Sequence, residues 1–287
     1  MVSVVIPSYN REKTIKFAVD SVLNQTYQDF EIIIVDDCST DGSIEVIKNM
    51  TDSRIRLIEL KENVGACVAR NRGVEEAKGE WIAFQDSDDE WLPEKLQKQL
   101  EQLEREQADF STCRMRRYYL GSKEKYKMYP AKIMKPEDYT YEAVLYRNCV
   151  TTPNLMVRRS CFDKVKFDPE IKKYQDWDYA LTLLKAGFTM TFLNEVVLNS
   201  YIGEDSITTK RNEYNAFMAI YKKYQTDIDR NKRIHARFLE RMGNAKLREH
   251  KGSEAYKLYC QSFRMYPSWK TFLKCCFYTV RFDLRRK

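Results

Sequence analysis

The sequence lacks the glycine-rich motifs with which many proteins bind phosphate groups. Its 287 residues include nine glycines, and neither a P-loop nor the dinucleotide-binding glycine fingerprint is present. Both motifs would present phosphate groups to the start of a helix. A phosphate-bearing ligand of this chain would therefore have to be neutralised by a metal ion and by side chains.

Zinc-type ligands and cysteine frameworks are also missing. The eight cysteines form no C-x-x-C pair, and the two histidines, His235 and His250, lie far from most of them. A zinc site is therefore not expected. Without an export signal a disulfide framework is not expected either, and we predict reduced, partly buried thiols.

Long hydrophobic runs are the third absence. The apolar stretches are shorter than the roughly 20 residues that cross a bilayer. Met1 leads directly into the apolar residues 2–6, without the basic region and cleavage site of a signal peptide. We therefore expect a cytoplasmic protein, with a peripheral place at the inner face of the cell membrane left open.

Charge is present but unevenly distributed. Residues 210–287 contain 20 Lys and Arg against 7 Asp and Glu, a net charge of +13, which leaves 29 against 35, or −6, for residues 1–209. This division predicts an acidic body over residues 1–209 and a basic extension over 210–287 that meets an anionic surface. In the extension, helical periodicity predicts helices at about 212–225, 231–249, 253–266 and 268–281.

The first 105 residues alternate short apolar runs with segments of helical periodicity, which is typical of a parallel sheet covered by helices. The predicted strands are residues 2–6, 31–35, 55–59 and 81–84, and the predicted helices are 12–24, 43–50, 65–77 and 93–105. A further helix opens near Gln175 and stops at Gly187, whereas residues 110–160 indicate only irregular strands and loops.

Three carboxylates, Asp86, Asp88 and Asp89, stand within four residues directly after the fourth predicted strand. Ligands of such sheets bind where strands end, and like charges this close repel unless a cation or donors compensate them. Mg²⁺ or Mn²⁺ suits these ligands and usually shares its other positions with substrate phosphates and water. A helix-capping turn is the structural alternative, and both interpretations stay open on these residues alone.

Four ordered segments resemble the motifs of the family 2 glycosyltransferases of GT-A fold. They are Val5-Ile6-Pro7-Ser8-Tyr9-Asn10, Ile34-Val35-Asp36-Asp37-Cys38-Ser39-Thr40-Asp41, Asn63-Val64-Gly65 with Ala69-Arg70-Asn71-Arg72-Gly73, and residues 77–89. The resemblance covers residues 2–105 densely and 150–190 sparsely. It implies a Rossmann-like, mostly parallel sheet flanked by helices, with a nucleotide-binding half over 1–105 and an acceptor-binding half over 106–209.

The resemblance implies that Pro7, Tyr9 and Asp37 hold the base and ribose of a nucleotide sugar. Tyr9 would offer a flat face, and Asp37 would accept a hydrogen bond from the base. The structural alternative for Tyr9 is a place in the core. Asp36 is equally suited to cap the following turn.

By the same resemblance Asp86 and Asp88 form a D-x-D element that contacts ribose and metal, with Asp89 as a further ligand or support. The implied cofactor is Mn²⁺ or Mg²⁺. Arg70 and Asn71 would line the donor pocket, with salt-bridged or capping roles as alternatives.

Inverting sugar transfer needs a carboxylate that takes the proton of the acceptor hydroxyl. The family places an acid pair at a helix start, and the matching residues here are Gln175 and Asp176. Asp176 is therefore the implied base, although Gln175 departs from the pattern. A helix start favours an ionised carboxylate. A plain N-cap role for Asp176 is the alternative.

The C-terminal segment 268–287 combines aromatic and basic residues: Trp269, Lys270, Phe272, Leu273, Lys274, Phe277, Tyr278, Val280, Arg281, Arg285, Arg286 and Lys287. This composition suits contact with an anionic membrane, where lipid-linked acceptors lie. A solvated helical face packed on the α/β domain is the alternative. No nucleic-acid-binding module accompanies the segment, so nucleic acid is not an expected partner.

The predicted function is sugar transfer from a nucleotide diphosphate sugar, with uridine favoured by family frequency, to a saccharide or lipid-linked acceptor in cell-surface polysaccharide synthesis. One alternative is a nucleotidyl- or phosphotransferase that uses the same acids and metal. Another is a relative that binds nucleotide sugar without turnover, which the replacement at Gln175 would suit.

Overall fold

The computed structural model describes residues 1–119, 125–203 and 212–283, with the side chains up to residue 276. Two compact units are present. The first unit comprises Met1–Val144, Cys149–Glu170 and the segment that begins at Gln175; the second comprises Leu145–Asn148, Ile171–Tyr174 and the C-terminal helices. The side chains of Phe277, Tyr278, Val280, Arg281, Arg285, Arg286 and Lys287, assigned above to a membrane contact, lie outside the described residues.

Four parallel strands open the first unit. They are β1 Val2–Ser8, β2 Phe30–Asp36, β3 Ile55–Glu59 and β4 Trp81–Phe84, in the order β3-β2-β1-β4. The β1, β2 and β4 side chains are almost all buried, as expected when helices cover both faces of a parallel sheet. The connecting helices are α1 Ile15–Leu23, α2 Ser43–Lys48 and α3 Ala66–Glu75.

Helix α3 lies directly on β1 because Gly73 removes a side chain from the contact. A Cβ atom at Gly73 would stand 2.4 Å from Cγ1 of Val5. The helix begins after Gly65, whose φ of 88° lies in the region that favours glycine. Gly65 and Gly73 therefore set where α3 begins and how closely it packs on β1. This places the polar residues of α3 beside the ends of the strands.

The same sheet continues through strands from the second half of the unit. They are β5 Glu90–Trp91, β6 Phe110–Tyr119, β7 Tyr126–Tyr129, β8 Met156–Arg158 and β9 Met190–Ile202. The full order is β3-β2-β1-β4-β8-β6-β9-β5, and β7 pairs with β6. Strands β6 and β9 are parallel, whereas β8 is antiparallel to both of its neighbours. This mixed α/β sheet confirms the predicted fold class.

Three helices accompany the second half: α4 Lys95–Glu106, α5 Tyr141–Tyr146 and α6 Gln175–Lys185. The ten-residue strand β6 and the short strands β7 and β8 lie in the region for which the sequence indicates only irregular strands and loops, and β9 is not predicted at all. Strand β6 shifts register against β9 around Arg114. This irregularity interrupts the alternation by which a strand is recognised in a sequence.

The second unit is helical. Its C-terminal segment contains α7 Glu213–Lys223, α8 Gln225–Arg230, α9 Lys232–Arg248, α10 Gly252–Met265 and α11 Trp269–Asp283. The short helix α8 is absent from the sequence prediction, and the other four helices agree within a few residues. None of the helices in the described ranges is both long and apolar enough to cross a membrane.

Candidate active site

The acid loop, residues 86–89, follows β4 at its carboxyl end and presents two partly exposed carboxylates. Asp86 Oδ1 accepts a hydrogen bond from Arg70 Nη2 at 3.1 Å, and Asp88 Oδ2 lies 3.9 Å from Arg11 Nη2. Burial, followed by the negative charge of Asp86, raises the pKa of Asp88 to about 6. A cation bound at this pair would relieve the repulsion that raises this pKa.

Asp89 is the buried carboxylate of the acid loop and is engaged by the backbone of β9. It is 3% exposed, and its Oδ1 accepts the backbone N–H of Tyr201 at 2.9 Å. Burial, followed by the charges of Asp88 and Asp86, raises the pKa of Asp89 well above its usual range. Asp89 therefore ties the acid loop to β9.

Asp86 and Asp88 suit a metal ion that is shared with a ligand. Within the described ranges no three His, Cys, Asp or Glu side chains converge into a complete metal-binding group. Mg²⁺ typically needs one or two carboxylates from the protein and takes its remaining ligands from substrate phosphates and water. The pair fits that arrangement.

Tyr9 follows β1 and is 43% exposed, so its ring lies outside the core. The neighbouring Asn10 fixes the loop, because its Oδ1 accepts the N–H of Thr40 at 2.8 Å and its own N–H donates to Ser39 Oγ at 2.9 Å. Pro7 is buried within β1 opposite Val35. The exposed Tyr9 ring thus stands on a loop that is hydrogen-bonded to the loop after β2.

The two acids after β2 have different partners. Asp36 is buried and accepts hydrogen bonds from the N–H of Ser39 at 2.8 Å and from its hydroxyl at 2.6 Å, which gives it the turn-capping role. Asp37 is 4% exposed and accepts the N–H groups of Val64 and Gly65, both at 2.8 Å. Each carboxylate oxygen of Asp37 retains acceptor capacity for a ligand.

Arg70 connects three elements of the site. This buried side chain on α3 donates from Nη1 to Gln175 Oε1 at 2.9 Å and from Nη2 to Asp86 Oδ1 at 3.1 Å. Its guanidinium also lies 5.6 Å from the ring centroid of Phe167. The acid loop and the start of α6 are therefore held next to each other by one cation.

Asn71 has a structural partner. Its Nδ2 donates to the backbone oxygen of Phe167 at 2.9 Å, and its Oδ1 accepts the N–H of Phe167 at 3.0 Å. Both ends of the amide are thus engaged with one backbone residue, which corresponds to the structural alternative given for this position.

Asp176 lies in the first turn of α6 and is partly exposed. Burial raises the pKa of Asp176 to about 6, although the N–H of Trp177, which donates to Oδ1 at 2.7 Å, and the charges of Arg70 and Arg117 act to lower it. The helix start alone would keep this pKa low, but burial outweighs it. A carboxylate of this kind is ionised at neutral pH and is a stronger base than an exposed aspartate.

Arg11, Gln175 and Arg117 are site residues that the sequence analysis does not assign. Arg11 directly follows the Tyr9-Asn10 motif, so its position could have indicated a role. Gln175 accepts the Arg70 hydrogen bond at the first position of the family's acid pair. Arg117 lies on β6, in the region without a recognisable pattern, and no sequence signal marks it.

A mostly parallel sheet with a D-x-D loop at its carboxyl edge, joined by Arg70 to a helix that begins with a candidate base, defines a sugar transferase of GT-A type. The sequence profile described as Glycosyl transferase family 2 matches residues 3–165. The chain belongs to this family and is a glycosyltransferase, as the motifs predict.

Two bacterial relatives illustrate the membership. The putative teichuronic acid biosynthesis glycosyltransferase TuaG of Bacillus subtilis is 37% identical over 74% of this chain and 82% of its own length. The Escherichia coli enzyme WfaP, named a UDP-Glc:alpha-D-GlcNAc-diphosphoundecaprenol beta-1,3-glucosyltransferase, is 37% identical over 64% of this chain and 69% of its own.

Solved structures confirm the GT-A fold. TarS 1-349 of S. aureus in complex with UDP-GlcNAc has a TM-score of 0.68 at 19% identity and covers 93% of this chain and 81% of its own. The mannosyltransferase PcManGT from Pyrobaculum calidifontis in complex with GDP-Man and Mn²⁺ has a TM-score of 0.65 at 16% identity, over 97% and 79% of the two chains.

Proposed function

We propose that this glycosyltransferase moves a sugar, with inversion, from a uridine diphosphate sugar to a hydroxyl of a saccharide or lipid-linked acceptor in cell-surface polysaccharide synthesis. The observation that carries the proposal is the Arg70 bridge, which places Asp86 of the acid loop next to the Gln175-Asp176 pair. The relative WfaP uses a UDP-sugar and a diphosphoundecaprenol-linked acceptor by its name, and TarS was crystallised with UDP-GlcNAc, which supports these substrate classes.

On the donor side, Tyr9 stacks on the base, and Pro7 and Asp37 complete the base and ribose contacts. Asp86 and Asp88 would hold Mn²⁺ or Mg²⁺, while Asp89 supports the loop through its bond to Tyr201. When bound, the metal neutralises the charge that develops on the departing diphosphate.

On the acceptor side, the ionised Asp176 takes the proton of the acceptor hydroxyl. The hydroxyl oxygen forms its bond to the anomeric carbon on the face opposite the nucleotide. The bond from that carbon to the diphosphate oxygen breaks, and the nucleoside diphosphate leaves with the electron pair. Arg70 holds the start of α6 so that the base and the donor site keep their relative positions.

A thermal-shift screen of nucleotide sugars, each with and without Mn²⁺ and Mg²⁺, tests the donor side. UDP-sugars should raise the melting temperature most strongly with metal, and the absence of any stabilising nucleotide under all conditions would contradict the proposal. When the sugar of the nucleotide sugar is labelled, the label should appear in the acceptor. Transfer of labelled phosphate would instead identify a nucleotidyl- or phosphotransferase.

We also propose that the C-terminal segment 268–287 places the enzyme on the cytoplasmic face of the membrane. Trp269 is 70% exposed, Leu273 50% and Phe272 40%, and the exposed Lys270 lies among them. Cosedimentation with vesicles that contain phosphatidylglycerol should therefore be lost in Trp269→Ser/Leu273→Ser. The control Ile133→Ser removes a side chain that is 64% exposed in the first unit and should cosediment as the unmodified protein does.

A further inference from the structure

The hairpin of β6 and β7 differs in charge from the unit that contains it. Residues 110–129 contain six Lys and Arg and one acid, although residues 1–209 as a whole have 29 basic and 35 acidic residues. A basic strand pair in an acidic unit indicates an anionic ligand when the cations lack acidic partners of their own.

One face of this hairpin carries a ladder of cations and aromatic rings. Arg117 lies opposite Lys127, so their side chains share a face of the strand pair. The Arg117 guanidinium lies 4.4 Å from the ring centroid of Tyr129, and Lys127 Nζ lies 5.3 Å from that of Tyr119. We call these four residues the basic ladder.

The cations of the basic ladder are not neutralised by carboxylates. Neither Arg117 nor Lys127 forms an ion pair within residues 1–119, 125–203 and 212–276. The Nε atom of Arg117 is buried and makes no hydrogen bond to any described residue. Because the Arg117 guanidinium has no carboxylate partner among the described residues, its charge is available to an anionic ligand.

Arg117 connects the basic ladder to the catalytic centre. Arg117 pairs with Ser200 of β9, and the next residue of β9, Tyr201, donates its N–H to Asp89 of the acid loop. The charge of Arg117 also reaches Asp176. Arg117 therefore stands on the side of the candidate base, where the acceptor hydroxyl must lie.

The donor diphosphate has other residues to hold it. In the proposed function the acid loop would hold it together with the metal, and the proposed nucleotide edge lies at β1 and β2, on the far side of β4 and β8 from β6. The anion that binds to the basic ladder is therefore not the donor diphosphate. It is a second anionic group, which belongs to the acceptor.

We propose that the basic ladder binds a diphosphate group that links the acceptor saccharide to its carrier. Arg117 donates to one phosphate, and Lys127 neutralises the other. The ladder thereby directs the attacking hydroxyl to Asp176. This inference rests on the proposed sugar transfer and names the chemical class of its acceptor.

The test measures binding of three probes by calorimetry to the full chain saturated with UDP and Mn²⁺, so that the donor site is filled. The probes are farnesyl diphosphate, inorganic pyrophosphate and farnesol. Arg117→Gln/Lys127→Gln should weaken farnesyl diphosphate binding by about 100-fold or more, because each lost charge-assisted hydrogen bond weakens binding about tenfold or more. The affinity for farnesol should be the same in this variant as in the unmodified protein.

The matched control is Lys48→Gln/Lys78→Gln, which removes two positive charges outside the hairpin. It should change the affinity for farnesyl diphosphate by less than about twofold. If Arg117→Gln does not fold, the exposed Lys127→Gln alone should still weaken binding about tenfold. Equal affinity in the ladder variant and the unmodified protein, or equal losses in ladder and control variants, would overturn the proposal.

The two proposals fail in different ways. A protein that binds UDP but not farnesyl diphosphate overturns the basic ladder and leaves the donor assignment intact. A protein that does not bind UDP overturns the proposed function itself. Pyrophosphate binding that is as tight as farnesyl diphosphate binding, and is lost in the same variant, supports recognition of the diphosphate without a contribution from the lipid.

Discussion

The two halves of the first unit handle charge in opposite ways. Around the donor edge, the carboxylates of Asp36, Asp37 and Asp89 accept backbone N–H groups, so the acids that could repel one another are held in place by the fold. In the second half, Arg117 and Lys127 have no carboxylate partner among the described residues, and their cations pack on tyrosine rings. The proposed donor site is thus shaped before its ligand arrives, whereas the ligand would complete the proposed acceptor site.

The strongest test of this comparison removes the proposed base, Asp176, which lies in the second half. In Asp176→Asn, sugar transfer should fall by about 10²- to 10⁴-fold, because the acceptor hydroxyl loses the group that takes its proton. Binding of the nucleotide sugar should be retained. Initial rates and donor titration measure both quantities, with the exposed Asp163→Asn as the control. An unchanged rate would remove Asp176 from the mechanism and would leave the donor half alone responsible for catalysis.

A second test removes one acid of the donor half. Asp88→Asn should lower kcat/KM by about 100-fold, since one carboxylate supplies part of the several kcal/mol of metal stabilisation. The Mn²⁺ concentration that gives half-maximal activity should also rise. The exposed Glu101→Gln on α4 is the control for loss of a negative charge. An unchanged metal requirement in Asp88→Asn would show that the donor half does not hold the cation at this residue.

The third test concerns the pH dependence that both halves share. The pKa of Asp176, about 6, is lowered by Arg70 and Arg117 and raised by Asp86 and by burial. Activity should therefore rise as the pH rises through about 6, because the base is the ionised form. In Arg70→Gln the pKa of Asp176 should increase, so this limb should move to higher pH, and the maximal rate should fall about tenfold with the loss of charged hydrogen bonds.

A pH–rate profile at saturating metal measures the limb. Arg117→Gln, in the other half, should also move the limb to higher pH. In Arg70→Lys the limb should lie closer to its position in the unmodified protein. If the limb stays at the same pH in both Gln variants, neither arginine influences the pKa of Asp176.

The smallest effect on activity is expected at Asn71. Asn71→Ala leaves the N–H and carbonyl of Phe167 without their partners and should lower the free energy of unfolding by about 1–3 kcal/mol. Donor affinity of the folded protein should change by less than twofold. Urea unfolding and donor titration distinguish this structural role from a donor-pocket role. The exposed Asn49→Ala should stay within about 0.5 kcal/mol of the unmodified protein.

The sequence predicts the donor half well because parallel strands covered on both faces appear as continuous apolar runs. The runs at β1 and β2 end directly before Tyr9 and Asp37, so the position of those residues follows from the strand ends. Strand β9 does not have such a run, because Asn194, Glu195 and Asn199 interrupt it and its partner β6 changes register. The structure of the second half therefore depends on pairing between strands that are distant in the sequence, and a local sequence pattern does not indicate this pairing.

Particular site contacts could not be predicted for a related reason. The bond from Tyr201 to Asp89 joins residues 112 positions apart, and Arg70 meets Gln175 over 105 positions. The pKa of Asp176 depends on burial that only the folded chain creates. Residue types indicate which groups can bind a metal or accept a proton, whereas their partners depend on the tertiary structure.

The long separation between Asp89 and Tyr201 has a consequence for protein synthesis. Strands β1 to β4 can pair as soon as residue 84 has left the ribosome, but the loop that follows them waits for β9, over 100 residues later. At about 5–20 residues per second this interval lasts about 5–20 s. A nascent chain thus completes the proposed nucleotide edge early and acquires the β9 contact of its acid loop only when translation of the first unit is nearly finished.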